Sequence, residues 1–252
     1  MQPEHNPGKA MTRLSVNVNK IALWRNARGG NFPDLEQVVR DCERFGAQGI
    51  TIHPRPDQRH IRTGDVMSLS KLVTTEYNIE GYPTEAFILL MESVKPHQVT
   101  LVPDPPDALT SSEGWDTVVQ AALLRAAVSR LQQAGCRVSL FVVPNSKMVE
   151  GAASIGADRI EFYTGPYAEQ FPAKPEKAIS PYRAAASVAI ANGLGINAGH
   201  DLNLLNLEYW CRNIPETLEV SVGHALWVDA LYYGLENTIR LYLRSIAKGF
   251  QG

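Results

Sequence analysis

The stretch Gly49-Ile50-Thr51-Ile52-His53-Pro54-Arg55-Pro56-Asp57-Gln58-Arg59-His60-Ile61-Arg62 is where the reading of this chain turns. It begins as a short β-branched run, the composition of a buried strand. It stops on His53, because Pro54 has no N–H for a sheet ladder and keeps its predecessor extended. A loop with three arginines and a second histidine follows. A buried strand that delivers a histidine and a cationic loop fits proton transfer on an anionic substrate. A core histidine beside a solvated basic loop fits the same letters, and this stretch alone leaves both open.

The same unit recurs on both sides of this stretch. Strand candidates are Leu14–Val18, Gly49–His53, Thr75–Glu80, Gln98–Val102, Arg137–Val143, Arg159–Tyr163, Gly193–Asp201 (strand and loop) and Leu218–Val222. Helical spacing lies between them: from Pro33-Asp34 to Gly46, a helix or loop over Met67–Val73, Pro83–Lys95, Asp116–Gln133, a helix capped by Ser146 and ending at Ile155, Ile179–Ala191, Asn203–Cys211, and a last helix Leu226–Ala247. Eight strands alternating with helices imply parallel pairing and right-handed crossovers. About 240 residues for eight units fit an α/β fold of the (β/α)8 TIM-barrel kind, with extra helices, better than a doubly wound sheet. The first strand-to-helix turn carries no Gly-x-Gly-x-x-Gly, which weakens the dinucleotide-binding alternative. No shift of composition marks a second domain, so residues 11–252 read as one barrel. Residues 1–10 read as a disordered extension without the apolar core of a signal peptide.

Composition narrows the function. In 252 residues the net charge is -2, against a general nucleic-acid binder, which needs a basic surface. No run of about 18 apolar residues exists to span a membrane. Three widely spaced cysteines, Cys42, Cys136 and Cys211, read as reduced thiols of a cytoplasmic protein.

In such barrels the chemistry sits at the C-terminal strand ends. There the chain supplies Asn17, Asn19 and Lys20, then His53 and Arg55, Glu80, Thr110, Glu161, Asn197 and His200, and His224. Taken singly, each has a structural reading; together on one rim they make a site. The turns Ala198-Gly199-His200 and Val222-Gly223-His224 form a matched pair where this fold usually holds phosphate. Arg55, Arg59, His60 and Arg62 offer a second anion pocket, and Arg28 a further contact. His53, Glu80, His200 and Glu161 are conceivable metal ligands, but no HxH or HxxxH pair supports that, and they serve better as acids and bases. The expectation is no metal and no cofactor.

At these residues the chain resembles the pyridoxine 5'-phosphate synthase family of vitamin B6 biosynthesis. The resemblance is carried by Val16-Asn17, Arg25-Asn26-Ala27-Arg28-Gly29, Gly49 to Arg55, Arg59-His60-Ile61, Asn78-Ile79-Glu80, Leu101-Val102-Pro103, Asn197-Ala198-Gly199-His200 and Gly223-His224-Ala225. It implies a cytoplasmic transferase on a TIM barrel, usually a homo-octamer. The family's reaction joins 1-deoxy-D-xylulose 5-phosphate to 3-amino-2-oxopropyl phosphate and releases pyridoxine 5'-phosphate, phosphate and water without a cofactor. By motif, His53 and Glu80 look like proton acceptors, His200 a proton donor and Glu161 a transition-state stabiliser. Asn17, Arg28, His200, Asp201, Gly223 and His224 match contacts to the amino-ketone phosphate. Arg55, His60 and Thr110 match contacts to the deoxyxylulose phosphate.

Two positions depart. Asn19-Lys20 stand where a common form of the family has Asp-His, and Lys20 is expected to hold the deoxyxylulose phosphate as a point charge, with Asn19 as a hydrogen-bond partner. Asp201 stands where other members have glycine. The rival readings are another barrel enzyme on phosphorylated sugars, such as an isomerase or an aldolase working through a Lys20 Schiff base, and a barrel that binds phosphate without turnover.

Overall fold

Successive residues of a strand face opposite ways, and here the two faces carry different chemistry. In strand β3 (Glu76–Gly81), Tyr77 points outward, its hydroxyl donating to the Val66 carbonyl of a surrounding helix at 3.3 Å. Asn78, its neighbour, points inward, where its amide donates to Thr51 Oγ1 at 3.2 Å and its carbonyl accepts from Thr100 Oγ1 at 3.0 Å. A computed structural model describes residues 11–104 and 113–251. In it eight parallel strands close into a barrel in sequence order.

The strands are β1 (Arg13–Asn17), β2 (Gly49–Ile52), β3, β4 (Gln98–Leu101), β5 (Arg137–Val142), β6 (Arg159–Tyr163), β7 (Gly195–Gly199) and β8 (Thr217–Val222). Closure runs from Arg13↔Glu219 to Val16↔Val222, and one register shift falls between Ile196 and Asn197 in the pairing of β7 with β8. The expected (β/α)8 architecture is therefore the observed one. Between the strands lie α1 (Asn19–Arg28), α2 (Leu35–Arg44), α3 (Thr63–Leu72), α4 (Glu85–Val94), α5 (Ala121–Gln133), α6 (Ser146–Ile155), α7 (Gly165–Gln170), α8 (Pro175–Ala191), α9 (Leu207–Asn213), α10 (His224–Tyr233) and α11 (Leu235–Gly249).

Leu14, Val16, Ile50, Ile52, Ile79, Val99, Leu101, Val138 and Leu140 are buried among the main apolar core between strands and helices. Each such side chain contributes about 1.5–3 kcal/mol on burial. The lumen is polar instead. Contacts between strands that are not sheet neighbours establish this: Gln98 of β4 donates to Glu219 of β8 at 3.4 Å, and Thr100 of β4 meets Glu161 of β6 at 3.5 Å. Ser15 and Thr51 share a further hydrogen bond at 2.7 Å. The lower lumen is an ionic layer in which Glu76 pairs with Arg13 and Arg137, while Arg159 donates to Asn197 at 3.1 Å.

Several boundaries differ from expectation. The segment after β1, to which the sequence reading assigns no element, is a helix, α1. Asn145, not Ser146, caps α6, its side chain accepting the Lys147 N–H at 2.9 Å. The predicted final helix is two, parted at Gly234, whose φ of 75° a residue with a side chain adopts only at a cost. Asp34 caps α2 as read, accepting from the N–H groups of Glu36 and Gln37.

Candidate active site

His53 is the first residue beyond β2. Its N–H donates to Asn19 Oδ1 at 2.9 Å, and the Asn19 N–H donates to Asn17 Oδ1 at 3.0 Å, so the ends of β1 and β2 are tied through two asparagines. The imidazole is buried, with Nδ1 3.6 Å from Glu80 Oε2. Burial holds His53 well below the ordinary histidine value, helped by the charges of Arg55, His60 and Arg59. Burial likewise pushes the Glu80 carboxyl up to about 8, with the Asp104 charge adding and Arg55 opposing. Near neutral pH the pair is therefore a neutral imidazole beside a protonated carboxyl, a base and an acid in approach rather than an ion pair.

Glu161 belongs to β6 and lies across the lumen from β4. Burial and the neighbouring Glu80 push it up to about 8, with Thr100 opposing. The Thr100 hydroxyl has one proton, and it goes to Asn78 Oδ1 at 3.0 Å. Its longer contact, toward Glu161 Oε2 at 3.5 Å, is the weaker alternative for that same proton. The carboxylate oxygen packs directly over Gly199, where a Cβ would collide with it.

His200 and Asp201 follow β7, His200 with its ring edge against Tyr163 at a centroid distance of 5.0 Å and its Nδ1 2.7 Å from Asp201 Oδ2. Gly223 closes β8 and packs on Asn17, where an added Cβ would come to 3.2 Å from the Asn17 Cβ. Helix α10 starts at once with His224 and has no side-chain cap, so its first N–H groups face the barrel mouth without a side-chain partner. Trp227 fixes that helix by donating from Nε1 to the Asn17 carbonyl at 2.8 Å.

The opposite wall is cationic. Arg55 is buried and bonded to the equally buried Asp104 at 2.8 Å. Burial, with the charges of Arg55 and Arg59, pushes His60 down to about 4. Its Nδ1 accepts the Ile61 N–H at 3.0 Å, so Nε2 carries the proton, and His60 is a neutral donor. The loop is held from below: Arg25, 2% exposed, grips Asp65 with two hydrogen bonds of 2.6 and 2.8 Å and also reaches the His60 carbonyl. Asn26 donates to the carbonyls of Arg59 and His60 at 3.1 and 2.8 Å.

These elements surround one cavity of about 530 Å³ over the C-terminal strand ends. Of the residues expected at the site, Asn17, Asn19, Lys20, His53, Arg55, His60, Glu80, Glu161, His200, Asp201, Gly223 and His224 line it. Arg28 does not; it ends α1, exposed and away from the cavity wall. Thr110 lies outside the described residues. Asn197 sits below the rim in the ionic layer, donating to Gln98 at 3.3 Å. Arg59, read as part of the second anion pocket, lines the cavity, as do Leu23, Phe141 and Ser221. Asp104 went unread although it follows Val102-Pro103 at a strand end, where the rim rule would have found it. Among the described residues no group of three or more His, Cys, Asp or Glu is placed to hold a metal ion.

Residues 14–248 match the family model described as "Pyridoxal phosphate biosynthesis protein PdxJ". The chain belongs to the PdxJ family. Among its relatives, pyridoxine 5'-phosphate synthase of Cytophaga hutchinsonii is 62% identical over 238 residues, covering 94% of this chain and 100% of the relative. The enzyme of the same name from Bacteroides fragilis is 57% identical over 232 residues, covering 92% and 98%. Solved barrels of other families share the fold alone. Phosphoribosylanthranilate isomerase of Thermotoga maritima superimposes with a TM-score of 0.58 at 14% identity, covering 94% of this chain and 99% of the isomerase. As a PdxJ protein the chain is an enzyme of the kind those relatives are named for, and among its described residues no helix is long and apolar enough to cross a membrane.

Proposed function

We propose that the chain condenses 1-deoxy-D-xylulose 5-phosphate with 3-amino-2-oxopropyl phosphate to pyridoxine 5'-phosphate, and that the cavity at the barrel mouth is where this happens. The observation that carries the reading is the wall chemistry. Uncharged, buried acid–base groups occupy the floor, and groups suited to phosphate flank them on two sides. Two phosphate esters need two anion pockets, and repeated proton transfers need several acids and bases within reach.

In this reading Lys20, Arg55, Arg59 and the Nε2–H of His60 hold the deoxyxylulose phosphate. The α10 N-terminus, Gly223 and His224 hold the other phosphate, with Asn17 beside them. The amine attacks the ketone, and water leaves as the Schiff base forms. Neutral His53 takes protons from carbon and nitrogen, Glu80 acts as the second acceptor once ionised, and His200 donates to leaving groups. Elimination of phosphate, then ring closure with loss of a second water, complete the sequence. Protonated Glu161 beneath the reacting atoms stabilises developing negative charge by donating a hydrogen bond. Asn19 acts through His53, whose backbone it holds, and Arg28 serves only where a neighbouring surface brings it to a site.

The family resemblance also gives a cytoplasmic homo-octamer. The exposed Leu231, Tyr232 and Tyr233 at the α10 end support association, since such clustered apolar area is commonly covered in an assembly; light scattering of the purified protein measures the mass. The function itself is tested by incubating the protein with both substrates and following pyridoxine 5'-phosphate by mass. Product supports the reading, and its absence overturns it. Borohydride trapping that leaves a substrate on Lys20 would favour the aldolase-like rival.

A further inference from the structure

His200 and Asp201 both hold left-handed backbone, with φ of 82° and 61°. For residues with side chains this costs about 1 kcal/mol or more each, and it persists only where the surroundings impose it. They do so here. Buried Thr164 donates its N–H and its hydroxyl to the Gly199 carbonyl at 3.0 and 2.8 Å, and its hydroxyl also contacts the His200 carbonyl. The amides of Asn203 and Asn206 both donate to the Asp201 carbonyl, at 3.2 and 3.3 Å.

The turn has a consequence for the side chains. In extended backbone, neighbouring side chains diverge to opposite faces. With both residues left-handed, the His200 imidazole and the Asp201 carboxylate meet, Nδ1 to Oδ2, at 2.7 Å. The same hydrogen bond keeps the Asp201 carboxyl below its ordinary value, so it is an ionised acceptor at neutral pH. An unpartnered carboxylate at this mouth would repel a phosphate. Bonded to His200 and facing His224, its charge is offset.

We infer that Asp201 is the positioning residue for His200: its carboxylate accepts a hydrogen bond from Nδ1–H, which leaves Nε2 as the ring atom that exchanges a proton with substrate in the cavity. The Tyr163 ring closes the other side and limits rotation of the imidazole. Such a pairing fixes tautomer and orientation together, as a carboxylate does for histidine in other acid–base sites. The inference rests on the reading of His200 as proton donor.

The test is a double-mutant cycle on the full-length enzyme with Asp201→Asn, Asp201→Gly, His200→Gln and His200→Gln combined with Asp201→Asn. The glycine variant relieves the backbone strain, so loss of folding cannot explain its behaviour. Both Asp201 variants are expected to lower kcat by roughly ten- to a hundredfold with little change in either KM. In the His200→Gln background the Asp201 change is expected to cost nothing further, because there is no imidazole left to orient. Wild-type kcat in either Asp201 variant, with His200→Gln slow, overturns the inference and leaves the role of His200 standing. An equal loss in the His200→Gln background also overturns it, marking a structural role. Wild-type turnover by His200→Gln itself overturns the proton-donor reading and the inference with it.

Discussion

Glu80 holds its proton at neutral pH because the lumen desolvates it, and the same burial makes it a strong base once that proton leaves. A base with a pKa of about 8 must be ionised to act, so kcat/KM is expected to rise as pH climbs through about 8. Glu80→Gln is expected to lower kcat by about a hundredfold or more and to abolish that limb, read by steady-state rates from pH 6 to 9. An unchanged profile in the variant would assign the limb to another group. Lys20 tests the other wall. Lys20→Ala is expected to raise KM for the deoxyxylulose phosphate about tenfold with kcat nearly unchanged, the behaviour of a phosphate contact made equally in ground and transition states. Unchanged KM for both substrates would remove Lys20 from the site. His53, Glu80, Glu161 and His200 were readable as residues because strand ends are where barrels keep their chemistry. The protonation of Glu80 and Glu161 was not readable, since it comes from a desolvated lumen and from the carboxylates the fold brings near, Asp104 for Glu80 and Glu80 for Glu161.

At the scale of elements, the cationic loop after β2 is held by α1 and α3 rather than by its own sequence. Arg25 of α1 grips Asp65 of α3 and the loop carbonyl of His60 together. Arg25→Ala leaves Asp65 half-buried without its guanidinium and is expected to cost about 3–5 kcal/mol, read by urea denaturation. It is also expected to raise KM for the deoxyxylulose phosphate more than for the amino ketone. A loss in stability with both KM values unchanged would detach the loop from its support. This scaffold was hidden in the sequence. Arg25 looks like a surface cation until α1 is known to be a helix that turns it inward, and nothing in the letters pairs it with an acid 40 residues away. Strand positions were legible because β-branched runs and Gly or Pro stops mark them. Helix ends were less so: Asn145 and Ser146 are both good caps, and only the backbone decides between them.

For the whole molecule, a polar lumen inside an apolar shell links stability to pH. Glu80 and Glu161 titrate at about 8 and Glu219 at about 7, whereas in the unfolded chain each ionises near about 4.3. The folded protein therefore holds more protons between those values. The stability these carboxyls allow is full below about 4.3 and is lost as pH rises through about 7 to 8. His53 and His60 work the other way: held low by burial, they cost stability only as pH falls below about 6.5. Above that the carboxyls decide, so Tm is expected to fall from pH 6.5 to 9 without substrate, and Glu161→Gln is expected to flatten the slope. A flat wild-type curve would contradict the protonated lumen. The barrel itself was legible from eight alternating units, but its polar interior follows from closure, which turns every inward Ser, Thr, Asn and Glu onto one axis. In the proposed reaction His53, held by Asn19 above this lumen, moves the protons of the condensation. Its most direct test is product formation by His53→Gln, with the fold verified by circular dichroism. Pyridoxine 5'-phosphate formation is expected to be lost while inorganic phosphate still binds at the mouth; product at the wild-type rate would rule out that role for His53.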